Sequence, residues 1–237
     1  MSKIRYSRWP VITAAIVATV TLAACGSGTD TAGTTVAPEA ALKIVSLSPT
    51  ATEMLYAIGA GDQVVAVDSL STYPAEVSSK VTKISAYEPS VEAILAYEPD
   101  VVLISNDMNK ITEQLESISS RKITVWTGAA AASIDDVYKQ INELGELTGR
   151  SSEASTLVAD MTKRIDAVVP DVAPTDASSV YYELDNTYYS VTSNTFVGAL
   201  LKQFGMVSIA DGVEEGNDYP QLSAEAIVKA DPSIIFL

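Results

Sequence analysis

Apolar residues along the chain fall into two alternating rhythms. Lys43 to Ser48, Val64 to Val67, Val101 to Ser105 and Ile123 to Trp126 are short aliphatic or β-branched runs, as expected of strands covered on both faces. Between the first two, Pro49 is followed by Met54, Leu55 and Ile58 at helical spacing until Gly59, which predicts strand, turn, helix and glycine stop. Ser133 with Asp135 and Asp136 opens a predicted helix to about Leu147, because serine caps free amides and acids suit the positive helix end. From Glu153 to Val168 the residues Ala154, Leu157, Val158, Met161, Ile165 and Val168 form one apolar stripe, which Pro170 and Pro174 close. Val180 to Leu184 then restarts the strand rhythm. Strands alternating with helices predict an α/β fold with mainly parallel sheets.

The pattern also repeats. Ser90-Val91-Glu92-Ala93-Ile94, then Pro99 before Val101 to Ile104, recurs as Ser223-Ala224-Glu225-Ala226-Ile227, then Pro232 before Ile234 to Leu237, with the same spacing. Leu55 to Gly59 is echoed more loosely by Leu201 to Gly205. A duplicated unit implies two similar lobes, and the helix at 153 to 168 is the natural connector. On this reading residues 41–150 form an N-terminal α/β lobe, 151–170 an interlobe helix and 171–237 a C-terminal α/β lobe. The second lobe is expected to be incomplete, since its closing strand run ends at Leu237 without the elements that follow Ile104 in the first.

The start of the chain reads as an address. Lys3, Arg5 and Arg8 precede an apolar run from Val11 to Leu22, too short for a typical membrane span and ordered like a secretory signal. Residues 1–24 are therefore expected to be a signal peptide. The run ends Leu22-Ala23-Ala24-Cys25-Gly26, which resembles a lipobox, making Cys25 the expected lipidation site; an incidental thiol behind a plain cleavage site is the plainer alternative. Residues 25–40 then form the lipidated cysteine and a flexible tether, because Gly, Ser, Thr and Ala bury little apolar area.

Composition narrows the chemistry. The 237 residues are 47% hydrophobic, ample for a core. A net charge of -15 argues against nucleic acid as a partner. With no histidine, neither a Ser-His-Asp or Cys-His nucleophile nor a His-ligated metal or haem can be assembled. Cys25 is the sole cysteine, so no internal disulfide forms. Gly59-x-Gly61 lacks the third glycine of a dinucleotide fingerprint and follows a helix, so it reads as a helix stop.

Together these residues resemble the solute-binding proteins of ABC importers for cobalamin, ferric siderophores and haem. The matching pieces are Ile44 to Pro49 with Thr52-Glu53, Ser71-Thr72-Tyr73-Pro74, Ser90 to Asp100, Leu144-Gly145 with Thr148-Gly149, and Tyr219 to Ser223. The resemblance implies two Rossmann-like lobes joined by a single long rigid helix, a monomer, no cofactor and no enzymatic activity. It implies capture of a small molecule in the interlobe cleft and delivery to transmembrane permease subunits from the outer face of the cytoplasmic membrane or the periplasm. In such proteins a glutamate on each lobe docks to permease arginines, and Glu92 and Glu225 occupy those positions; an equally simple role is to stabilise a helix N-terminus.

Loops at strand carboxyl ends are the expected ligand rim, and they are rich in tyrosine. Tyr73, Tyr87, Tyr188, Tyr189 and Tyr219 are the aromatic candidates, of which Tyr73, Tyr87 and Tyr219 match aromatic contact positions of the cobalamin-binding members; any one of them could instead cap the core or sit idle in a loop. Ser48 and Asn106 are the polar candidates, with Asp107, Glu183, Asp185 and Asn186 near the same rims. Lys110 is the only nearby cation, so a neutral or cationic ligand is favoured over an anionic ferric catecholate. That orders a corrinoid first and a ferric hydroxamate siderophore second; a bare metal ion, held weakly at most by Glu183 and Asp185, ranks below both. From another class, a lipid-anchored hydrolase would need two close carboxylates, and Glu183 with Asp185 is the available pair.

Overall fold

The computed structural model describes residues 42–106, 110–118, 122–169 and 178–237. The expected signal, the tether with Cys25, and Asp107, Pro170 and Pro174 lie outside the described residues.

The first sheet is built from β1 (Ile44–Leu47), β2 (Val64–Val67), β3 (Val101–Ile104) and β4 (Thr124–Thr127), all parallel in the order β2-β1-β3-β4. Every residue of β1 and β3 is buried, because helices cover both faces. On one face Ile44, Val101 and Leu103 pack with Met54 and Leu55 of α1 (Pro49–Ala57), Ile141 and Leu144 of α4 (Ile134–Thr148), and Ala154 of α5 (Ser151–Asp166). On the other, Val45, Leu47, Val102 and Ile104 meet Val91 and Ile94 of α2 (Val91–Leu95) and Ile111 and Leu115 of α3 (Ile111–Ile118). Each fully buried leucine here contributes about 1.5–3 kcal/mol relative to exposure.

The second sheet repeats the first three strands. It contains β5 (Ser178–Tyr182), β6 (Met206–Ser208) and β7 (Ile234–Phe236), parallel in the order β6-β5-β7, with α6 (Phe196–Gln203) and α7 (Ala224–Ala230) in the places of α1 and α2. The fourth strand of the first sheet has no counterpart between residues 178 and 237. Among the described residues β7 lies at one side of its sheet with Ile235 and Phe236 exposed, whereas their equivalents in β3 are flanked by β4 and buried.

The helix between the sheets is less buried than its apolar stripe suggests. Ala154 alone is fully enclosed, while Leu157, Val158 and Met161 are partly buried against the first core and Val168 is 56% exposed. The approach of α5 to α4 is set by glycine: a Cβ on Gly145 would lie 2.5 Å from that of Ala154, and Gly149 turns the chain between them at φ 70°.

The start of α4 is a reciprocal cap. Ser133 Oγ accepts the Asp136 amide at 3.3 Å, and Asp136 Oδ2 accepts the Ser133 amide at 3.0 Å. Hydrogen bonds from the Ser133 hydroxyl and the Ala132 amide hold the Asp136 carboxyl below its ordinary value of 3.8. A depressed folded pKa gives stability that is present above the unfolded value and lost as pH falls through the folded one. Ser133→Ala is therefore expected to cost about 1 kcal/mol at neutral pH. The deficit of Asp136→Asn should hold constant from neutral pH down towards 3.8 and shrink as pH falls below that value, measured by urea titration at each pH; a deficit unchanged below 3.8 would contradict the ionised cap.

Candidate ligand site

In open parallel sheets ligands bind where successive connections leave a strand in opposite directions. Here that point lies between β1 and β3, and in the second sheet between β5 and β7. At the carboxyl ends of β1, β3 and β4 a cavity of roughly 660 Å³ is lined by Ser48, Ser105, Asn106, Trp126 and the Gly128–Ala131 loop.

Ser48 is buried at the N-cap of α1, where its Oγ accepts the Ala51 amide at 3.3 Å. Its position is held by a buried polar chain: Ser46 Oγ donates to the Ser48 carbonyl, Thr52 Oγ1 donates to Ser46 Oγ at 2.9 Å, and Thr52 Oγ1 lies 3.2 Å from Ser71 Oγ. Ser71 Oγ in turn donates to Asp68 Oδ2 at 2.7 Å, while the amides of Leu70 and Ser71 donate to Oδ1. Asp68 is wholly buried, and these donors replace the water its carboxylate has lost. The chain fixes the start of the long β2–α2 connection that carries Tyr73 and Tyr87, which are 66% and 63% exposed. Neither of those tyrosines lines the cavity with Ser48 and Asn106.

The second lobe gathers its three candidates. The Leu222 amide donates to the Tyr188 carbonyl, the Ser190 amide to the Pro220 carbonyl, and Tyr189 bridges Gln221. Tyr188, Tyr189 and Tyr219 thus share one cross-linked pair of loops, each 40% exposed or more. Asp218 supports it by accepting from Thr192 Oγ1 at 2.7 Å and Asn194 Nδ2 at 3.2 Å. Glu183 and Asp185 engage different neighbours. Glu183 accepts the hydroxyl of Tyr181, whose pKa burial, with help from Glu183, pushes up to about 12. Asp185 accepts the hydroxyl and amide of Thr187, which lower its pKa.

Glu92 and Glu225 occupy the same place on equivalent helices, exposed in the first turn behind Ser90 and Ser223, each of which caps its helix. Lys110 lies 3.5 Å from Glu113. Trp126 lines the cavity but escaped the sequence reading because it closes a strand run; the small-residue stretch Gly128 to Ala131 after it was the available signal for an open space.

A family model described as periplasmic binding protein matches residues 44–237. The chain belongs to that family. A cobalamin-binding protein of Halobacterium salinarum is 36% identical over 198 residues, covering 81% of this chain and 53% of the relative. An uncharacterized ABC transporter substrate-binding lipoprotein of Bacillus subtilis, YvrC, is 33% identical, covering 81% and 62%. This periplasmic binding protein therefore spans between half and two thirds of the length of those relatives. Among solved structures, a possible iron-binding (periplasmic solute-binding) protein of Staphylococcus epidermidis superposes with a TM-score of 0.70 at 27% identity, covering 81% of this chain and 75% of that one. The relatives are binding proteins by name, and the family implies a location outside the cytoplasm.

Proposed function

We propose that the protein is the ligand-capturing component of an ABC importer, held at the membrane through Cys25, and that it collects a corrinoid between its lobes and passes it to the permease. The observation that carries the ligand reading is the chemistry of the rims: five exposed tyrosines and a cavity whose described lining bears no charge. Tyrosine supplies a broad apolar face with a polar tip, which suits a large ring fringed with amides. An anionic chelate would find no guanidinium among the described residues that line the cavity, and Lys110 is already beside Glu113. The 36% identity to a cobalamin-binding protein supports the same choice. Lipid anchoring is supported by the Leu22 to Cys25 string and by the lipoprotein among the relatives. Docking is assigned to Glu92 and Glu225, and the protein works as a monomer.

The test is thermal unfolding of the full-length mature protein with cyanocobalamin, a ferric hydroxamate or haem. A ligand at 100 times its Kd adds about 2.7 kcal/mol, which raises Tm by about 5–10 °C in a protein of this size. Cyanocobalamin is expected to give that shift. A shift with the ferric hydroxamate alone would replace the corrinoid by an iron chelate, a reading favoured by the likeness to the Staphylococcus protein.

A further inference from the structure

The cavity at the carboxyl edge of the first sheet has a character that the tyrosines do not account for. Its described lining is serine, threonine, asparagine, glutamine, small aliphatic residues and Trp126, without one lysine, arginine, aspartate or glutamate. Its walls are held in place. Trp126 Nε1 donates to Glu143 Oε2 on α4 at 3.2 Å, and the far side of the indole lies against Gly128, where a Cβ would come within 2.6 Å of two ring carbons. The loop beyond is tied at both ends: the Gly128 amide donates to the Ile104 carbonyl at 2.8 Å, Gln140 Nε2 to the Ala129 carbonyl at 2.7 Å, and the Ala132 amide to Asp136. A fixed aromatic wall and a bound loop are preorganised, so little ordering accompanies ligand entry.

We propose that this cavity is a subsite for an uncharged, carboxamide- or hydroxyl-bearing edge of the ligand, and that it rejects the same edge bearing carboxylates. The proposal rests on the corrinoid reading above and adds a selectivity to it. A carboxamide leaving water can exchange its hydrogen bonds for those of Asn106, Ser48 and Ser105 at small net cost. A carboxylate in the same place gives up part of its hydration and meets no cation among the described lining residues. The chain's charge of -15 repels anions as well, but that contribution is long-ranged and screened by salt, whereas the local one is not.

Titration calorimetry in about 1 M salt, where the Debye length is about 3 Å, isolates the local effect. The probes are cobinamide, whose ring periphery carries carboxamides, and cobyrinic acid, the same ring with carboxylates. The full-length protein should bind cobinamide at least about tenfold more tightly. Asn106→Arg, an exposed position at the cavity edge, should narrow the gap to within about threefold by strengthening cobyrinic acid. Equal affinities in the unmodified protein, or a preference that Asn106→Arg leaves intact, would overturn the subsite while leaving corrinoid capture standing. Failure to bind either probe would overturn corrinoid capture and the subsite together.

Discussion

Replacing Glu92 and Glu225 together by alanine is expected to abolish import in cells that depend on this protein, by about a hundredfold or more, while the ligand Kd stays within about twofold. Both carboxylates stand exposed in the first turn of equivalent helices, where the docking proposed above would use one from each lobe. Losing a desolvated, hydrogen-bonded charge pair at an interface costs about 2–5 kcal/mol, and two such losses exceed the 2.7 kcal/mol that a hundredfold represents. Loss of a first-turn acid from a helix end costs only about 0.3–1 kcal/mol and leaves the folded protein able to meet its receptor. Glu→Gln at both positions separates the roles, since glutamine keeps size and hydrogen bonding but not charge. Uptake that survives either double variant would refute docking through these residues, and uptake lost together with ligand affinity would point to damage in the cleft.

The architecture was legible because it is written in periodicity. The strand runs at Val64 to Val67 and Val101 to Ile104, the glycine stop after α1 and the serine cap of α4 are local signals that packing only reinforces. Duplication added what no single element carries, and the equivalent orders β2-β1-β3 and β6-β5-β7 reflect it. The stripe from Glu153 to Val168 is less buried than its pattern suggests for a physical reason: an apolar stripe shows which face turns inward, not whether anything covers its far end, and Val168, two residues past the end of α5, is mostly exposed.

The site was less legible because its determinants are relations between distant elements. Asp68 reads locally as a turn residue, and Leu70 and Ser71 of that turn do satisfy its carboxylate; what the sequence does not show is that Thr52 and Ser46, from the β1–α1 segment, continue the chain from Ser71 into the core and that Asp68 is wholly buried. Trp126 looks like the last residue of a strand until Gly128 and Glu143 hold its ring at the edge of a cavity. Tyrosines could be nominated from loop position, yet which of them share a platform depends on the hydrogen bonds between the Tyr188 and Tyr219 loops.

Those loops set the second large expectation. Gly198→Ala should destabilise the second lobe by about 3 kcal/mol, although glycine to alanine inside a helix ordinarily gains up to about 1 kcal/mol. A Cβ at position 198 would stand 2.0 Å from the Thr192 carbonyl oxygen and 2.7 Å from Ser193 Cα, which are main-chain atoms that cannot swing aside. The segment is pinned as well. Thr195 Oγ1 donates to the Thr192 carbonyl at 2.9 Å and accepts the Gly198 amide at 3.1 Å, while Thr192 and Ser193 donate to Asp218 and Asp211. Relief of the clash must therefore pull on the loop that holds Tyr219 beside Tyr188 and Tyr189. Urea unfolding should show the lost stability. Hydrogen exchange should place it in residues 190–222, with β1 to β4 unaffected, since the two cores are built from separate sets of residues. A neutral or stabilised Gly198→Ala would mean that the 192–195 turn yields freely, and the tyrosine platform would lose its anchor.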